Sequence, residues 1–424
     1  MAARGDEAVF RLPGYARFWT AETVSGFGTY ITTLALQVLV VVDLQGSATD
    51  VGLLNAARWL PYVLVGLLVG ALIERSRRQP LCVATDLGRA LLLWAIPVLW
   101  ATDLLSVPVL MGVMAVFGLL SLVNDAASQS LLPRLVPRQS LVMANARLNQ
   151  SAAVAETSGP ALAGGLVTLL GAPVAVLVDA VTYLVSGLVI ARIKVTEAVA
   201  PAARTRGWLG RETREGLAWI YRHPTLAPLA LSTHAWFVCN SMLVTVYVPF
   251  ALLGLGLSAF ELGITLAAAG VGGLLGSLAA PAAGRRWGTG PVVIACRAGM
   301  PVGWGIVALA PAVGAGDDGR LTTVAVLLLS QLLVGLAMGL ENANEMGYWM
   351  AVTPDALQGR MNSTRRSVNR GMIVLGAPLG GVLADALGHR PTLWIALSGF
   401  VLVAGGLFLS PFRHARQGDQ LTGT

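Results

Sequence analysis

The sequence predicts an all-α membrane protein of twelve transmembrane helices arranged as two pseudo-symmetric six-helix halves. Three observations carry that reading. About a dozen apolar runs, each long enough to cross a hydrocarbon layer, fill the 424 residues. The composition is 55% hydrophobic and 12% charged with a mean hydropathy of +0.70, where soluble domains carry about 25% charged residues, so the bilayer must be the solvent. The last six runs also repeat the landmarks of the first six. Ser47-Ala48-Thr49-Asp50-Val51-Gly52 returns as Ser258-Ala259-Phe260-Glu261-Leu262-Gly263, and Pro13 falls on Pro224. Arg77-Arg78 and Arg89 fall on Arg285-Arg286 and Arg297, and Gly159-Pro160 with Gly164-Gly165 falls on Gly376, Pro378 and Gly380-Gly381. The halves occupy 1–194 and 224–424, with a linker over 195–223.

Only helices and closed barrels satisfy the backbone in lipid, and these runs are too long and continuous for barrel strands, so each span is a helix. The first six lie near 16–42, 51–73, 81–101, 107–131, 141–170 and 173–193. The second starts behind the Ser47-x-x-Asp50 cap signal, the third carries Arg89 and the fourth Asn124-Asp125. The fifth carries Glu156 and the helix-bending Gly159-Pro160, and the sixth Asp179. The linker mixes Arg204, Arg206, Arg211, Arg214 and Arg222 with Trp208, Leu209, Leu217, Trp219 and Ile220, which predicts a short basic amphipathic helix resting on the inner leaflet. The last six spans lie near 225–254, 260–283, 291–312, 321–350, 361–387 and 391–411. The seventh holds His234 and Asn240, and the eighth opens at the Ser258-x-x-Glu261 cap and presents Gly270, Gly272, Gly273, Gly276 and Ser277. Arg297 lies in the ninth, and Glu341 and Glu345 in the tenth.

Arginines set the orientation. Arg11 and Arg17, Arg75 to Arg78, Arg134 and Arg138, Arg192 to Arg222, Arg285-Arg286, Arg360 to Arg370, and Arg413 and Arg416 gather on one side. Asp43, Asp50, Asp103, Asp317 and Asp318 mark the other, where Arg320 and Arg390 are the basic residues. The positive-inside rule places both termini and the linker in the cytoplasm, as expected of a multi-pass protein of the inner, plasma membrane. A net charge of +7 could suggest nucleic acid, but the basic residues sit in short loops rather than on one stripe. Cys82, Cys239 and Cys296 are far apart, with no CxxC pair and no histidine cluster, so neither a disulfide framework nor a metal site is indicated. The N-terminus lacks a signal-peptide pattern, which predicts that the first span is retained.

Specific motifs follow. Gly70-Ala71-Leu72-Ile73-Glu74-Arg75-Ser76-Arg77-Arg78 resembles the G-x-L-x-D-R-x-x-R-R loop signature of the major facilitator superfamily, with Glu74 in place of the usual Asp. An acid at a helix end followed by arginines can be traded between partners as two halves rock. Gly159-Pro160-Ala161-Leu162-Ala163-Gly164-Gly165 is similar to the Gly-Pro signature of that superfamily's antiporters, with one extra residue before Gly-Gly. Leu131 to Pro137, Ala144-Asn145, Asp179-Ala180 and Gly359-Arg360 resemble the drug:proton antiporter subgroup that includes macrolide and enterobactin exporters. Where that subgroup often has Gln and, seven residues later, Asp, this sequence has Glu22 and Thr29.

Ionisable residues inside spans are costly and hence functional candidates. For proton coupling or a substrate cavity these are Glu22, Asp125, Glu156, Glu341 and Arg58, with His234 and Asn240; for conformational change they are Gly70, Glu74, Arg75, Arg78, Gly159 and Pro160. In the fold that the resemblance implies, the first, fourth, seventh and tenth spans line a central cavity. Arg89 and Arg297 read as structural partners for acids, and Glu345 and Glu22 either pair with loop arginines or carry protons. Trp19, Trp59, Trp236, Tyr247, Trp304, Tyr348 and Trp349 are either cavity surfaces for amphiphiles or interfacial anchors.

The resulting expectation is proton-coupled efflux of a small amphipathic drug or natural product by alternating access, without a cofactor, by a monomer in the lipid bilayer. A dedicated siderophore or metabolite exporter and an importer are the alternatives within transport. A polytopic lipid-handling enzyme is the alternative outside it, and no HExxH, Ser-His-Asp set or phosphate-binding Gly loop supports one.

Overall fold

The computed structural model describes residues 9–66, 68–69, 73, 76–195, 208–312 and 317–416. Among them there are helices and no strands. Helix α1 (Pro13–Val38) begins with a proline that needs no helical N–H partner, and it runs on into a π-helical turn, Leu39–Asp43. Then follow α2 (Ala48–Leu64), α3 (Arg78–Ala101), α4 (Val107–Leu135), α5 (Leu141–Leu170), α6 (Ala172–Ala191) and the linker helix α7 (Trp208–Arg222). Helix α8 (Leu226–Pro249) also ends in a π-helical turn, Phe250–Gly254, so the duplication extends to this irregularity. The remaining helices are α9 (Ala259–Trp287), α10 (Thr289–Leu309), α11 (Asp317–Val352), α12 (Asp355–Leu387) and α13 (His389–Leu409). Single glycines with φ of +80°, +87° and +91°, Gly171, Gly288 and Gly388, join α5 to α6, α9 to α10 and α12 to α13. A side chain would strain these one-residue turns.

Eleven of the described helices are long and apolar enough to cross a membrane. Helix α2, described over 17 residues, corresponds to the second expected span, and it leads into positions outside the described residues. Helices α4, α11 and α12 run past the expected apolar boundaries, to Leu135, to Val352 and from Asp355. The apolar run marks only the lipid-facing length, and good helix formers such as Gln358 and Arg360 continue the helix beyond it.

Contacts divide the chain into two compact units: Met1–Gln45 with Ala57–Arg204, and Gly46–Ala56 with Thr205–Thr424. Helix α2 thus contributes its first turns to the second unit and its remainder to the first. Within the first unit α1 packs on α5 and α6, and α3 on α4 and α6. Within the second, the repeat-related pairs recur: α8 on α12 and α13, and α10 on α11 and α13. The first core gathers Tyr15, Phe18, Ala127, Leu131, Ala144 and Ile190; the second gathers Leu226, Val293, Trp349, Met361, Leu407 and Phe412.

The glycine face of the eighth span is used for packing. A Cβ at Gly276 of α9 would stand 2.7 Å from the backbone nitrogen of Leu340, and one at Gly272 would stand 2.8 Å from that of Leu336. Gly335 and Gly339 of α11 meet the backbone of Ala269 and Gly273 in return. Helices α9 and α11 therefore approach backbone to backbone.

One face of the linker helix packs on the second unit. Ile220 is buried in the second core, Trp219 Nε1 donates to Thr353 Oγ1 at 3.3 Å, and Glu215 pairs with Arg360. A Cβ at Gly216 would lie 2.8 Å from Thr364 Oγ1, so this face of α7 lies on α12. Trp219 and Ile220, two apolar residues of the linker, cover protein on this face.

Candidate functional site

In the first unit, α1, α4 and α5 line an open cavity of about 410 Å³. Phe18, Leu132, Pro133, Leu148 and Ala155 form apolar wall, while Thr23, Ser128, Gln129, Asn145, Asn149 and Ser151 supply neutral hydrogen-bonding groups. Glu22 is the one carboxylate of the lining, and no basic residue is in it. Such a pocket has apolar surface for a small ligand, several neutral polar groups and a single point of negative charge.

Glu22 does not stand alone. Its Oε1 accepts a hydrogen bond from Ser128 Oγ at 2.9 Å, and Ser128 lies 3.5 Å from Asn124 Oδ1, one turn earlier on α4. The Asn124 amide donates to Thr85 Oγ1 at 2.8 Å and to Asp86 Oδ1 at 3.1 Å, both on α3. Asp86 is 1% exposed, pairs with Arg89 one turn on, and accepts from Ser186 of α6 at 2.7 Å. The Arg89 guanidinium lies 4.1 Å from the ring centroid of Tyr183, whose hydroxyl is 2.9 Å from Thr29 of α1. A continuous polar chain therefore leads from the cavity wall into the buried centre of the unit.

The second unit has its own buried arginine. Arg297 is wholly enclosed; Nε donates to Glu341 Oε1 at 2.7 Å and Nη2 to Glu345 Oε2 at 2.9 Å. Ser232 and Thr233 of α8 accept from Nη1 and Nη2 as well. Arg365 of α12 adds a second positive charge 3.5 Å from Glu345 Oε1, which also accepts from Trp349 Nε1 at 3.1 Å. Two arginines thus face two carboxylates, which makes burial of the group tolerable. Beside it His234 accepts from the Tyr221 hydroxyl at Nε2 (2.7 Å) and donates from Nδ1 to Asn369 (2.8 Å), tying α7, α8 and α12 together.

The candidates named from sequence therefore part company. Glu22 lines the cavity, whereas Glu341 is 5% exposed and held by Arg297. Glu345 meets Arg297 and Arg365, which are helical residues and not loop arginines. Asp125 is exposed and accepts from Tyr62 at 2.8 Å; Glu156 is exposed on α5; Arg58, half-buried, donates to Thr33 at 2.9 Å beside Trp59 and Phe117. His234 is buried in its hydrogen bonds, and Asn240 is half-buried on α8. Pro160 is buried inside α5, and a Cβ at Gly159 would stand 2.7 Å from Tyr30 Cβ, so the Gly-Pro motif seats α5 on α1. Gly70, Glu74 and Arg75 lie outside the described residues, and Arg78 is buried at the start of α3.

Both cap signals are realised. Ser258 and Glu261 form a reciprocal capping box, and Ser47 and Asp50 exchange bonds in the same way at 2.9 and 3.2 Å. Of the aromatic residues, Trp236, Tyr247, Trp304, Tyr348 and Trp349 are core, so they serve neither as cavity surface nor as interfacial anchors. Sequence reasoning missed Asp86 and Ser128. Asp86 had a signal, an acid in an apolar span three residues before Arg89; Ser128 had none, because a serine in a helix costs little anywhere.

Comparison with known proteins agrees with this architecture. The profile of the Major Facilitator Superfamily matches residues 18–377, and the chain belongs to that family. It is a multi-pass membrane transporter and not an enzyme. The multidrug efflux pump Tap of Mycolicibacterium fortuitum is 26% identical over 407 residues, covering 93% of this chain and 95% of Tap. An uncharacterized MFS-type transporter of Sinorhizobium fredii, y4rN, is 27% identical over 88% of this chain and 89% of its own. Among solved structures, the nucleoside transporter NupG superposes with a TM-score of 0.73 at 12% identity, covering 94% of this chain and 98% of NupG. A bacterial homologue of the iron transporter ferroportin in its inward-facing state gives 0.68 at 17% identity, covering 94% and 98%. These two likenesses concern the fold.

Proposed function

We propose that the protein is a proton-coupled efflux transporter of small amphipathic compounds, working by alternating access between its halves. The observation that carries this reading is the single carboxylate, Glu22, in an otherwise neutral, half-apolar cavity. A carboxylate in such a place attracts a cationic ligand when ionised and releases it when protonated, so ligand and proton compete for one group. The likeness to Tap, an efflux pump, supports the outward direction. In this reading the arginine-rich helix ends face the cytoplasm, the membrane is the plasma membrane, the working unit is a monomer, and the proton gradient supplies the energy without a cofactor.

Ethidium efflux from reconstituted vesicles under an imposed pH gradient tests it. Transport should follow the gradient, fail in Glu22→Gln and persist in Glu156→Gln. Gradient-independent transport in every variant, Glu22→Gln included, would remove proton coupling.

A further inference from the structure

We propose that Ser128 is a positioning residue, a two-way hydroxyl that reports the protonation state of Glu22 to the buried Asp86–Arg89 pair through Asn124. The inference rests on the proton reading of Glu22 and adds the route by which that event reaches the helix contacts. A serine hydroxyl has one proton to give and can accept at its oxygen. In the structure it faces two acceptors: Glu22 Oε1 at 2.9 Å and Asn124 Oδ1 at 3.5 Å. Cys82 Sγ of α3 stands 3.7 Å from the same oxygen, and the backbone carbonyl of Cys82 lies 3.4 Å from the Asn124 amide.

With Glu22 ionised, the Ser128 proton points to the carboxylate and its oxygen is open to the Cys82 thiol. When Glu22 takes a proton from cavity water, the new carboxyl O–H donates to Ser128 Oγ. The serine proton then turns to Asn124 Oδ1. No proton passes beyond Ser128; only the direction of its bond changes. Asn124 is the bridge, since its amide already donates to Asp86 and Thr85. Accepting a bond at Oδ1 polarises that amide and strengthens its hold on Asp86, the partner of Arg89. The charged groups acting on Glu22 are Asp86 and Arg89 from α3 and Asp125 from α4, and the α5 residues lining the cavity are uncharged. Four helices thus meet in one network: α1 through Glu22, α4 through Ser128 and Asn124, α3 through Asp86 and Arg89, and α6 through Ser186.

Cys82 provides a readout that does not depend on transport. In full-length protein carrying Cys239→Ala and Cys296→Ala, Cys82 is the remaining thiol, and its S–H stretch falls in an infrared window free of other protein bands. Glu22 protonation is followed in the same spectra by the carboxyl C=O band that disappears in Glu22→Gln. The expected result is that the S–H band shifts with pH together with the carboxyl band. The shift should be lost in Ser128→Ala and restored in Ser128→Thr. A carboxyl band that titrates while the S–H band stays fixed in the Ser128 protein overturns the switch and leaves the proton reading intact. Absence of any Glu22-dependent carboxyl band overturns the proton reading itself, and the switch with it.

Discussion

Arg297 and Glu341 meet at 2.7 Å with the guanidinium entirely withdrawn from solvent, and one turn further along α11 Glu345 closes the same pair at 2.9 Å. Under the repeat, Asn124 of α4 is the counterpart of Glu341. One unit therefore surrounds its buried arginine with carboxylates from α11, while the other uses Asp86 of α3 and holds a different acid, Glu22, at a cavity wall. The duplication kept the arginine and moved the acids.

Removing one partner of such a group leaves an uncompensated buried charge. Arg297→Met should cost about 3–5 kcal/mol, read as a large loss of thermal stability in detergent or of folded protein recovered. Adding Glu341→Gln and Glu345→Gln to Arg297→Met should recover part of the loss, although Arg365 then keeps its charge without Glu345.

The α9–α11 contact predicts a sharp steric asymmetry among glycines. Gly335→Val drives a side chain into the backbone of Ala269 and should cost about 1–3 kcal/mol or more. Gly112→Ala, on α4 with nothing within 4 Å of the added carbon, should be neutral or slightly stabilising. Parallel unfolding curves of the two variants check both.

At the start of α2, Asp385 of α12 accepts the backbone N–H groups of Ala48 and Thr49 at 3.0 and 2.9 Å. A carboxylate there satisfies orphan helix donors as an N-cap does, so Asp385→Ala should cost about 0.5–2 kcal/mol. Hydrogen exchange at the Ala48 and Thr49 amides should quicken, while amides within α3 should not change.

How much of this was readable in advance differs by level. Helix positions were legible because a lipid-facing helix needs an unbroken apolar run, and the ends of α4, α11 and α12 were not, because beyond the lipid only weak propensity marks them. Glu22 was legible as an acid in an apolar span. Glu156 satisfied the same rule yet stands exposed, since the rule gives depth and not the direction a side chain faces. The pairing of Arg297 with α11 and the seat of α7 on α12 depend on tertiary contacts between distant segments, which one sequence does not display.

Outside the spans, the His223 ring nitrogen Nδ1 accepts from the Thr225 and Leu226 amides at 3.3 and 3.4 Å, capping α8. Burial holds its pKa below the ordinary 6.5. Because the neutral ring is favoured in the folded state, the cap is fully present above the ordinary value and lost as pH falls through the lowered one. His223→Asn, which can cap without titrating there, should flatten the loss of melting temperature on the acid side of the stability profile.

The central claim is that ligand and proton share Glu22. Adding ethidium to purified protein in weakly buffered detergent solution, and recording protons released against ligand bound, tests it most directly. Proton release on binding by the unmodified protein, absent in Glu22→Gln, is the predicted result. Equal release by both proteins would place the exchanged proton elsewhere and contradict it.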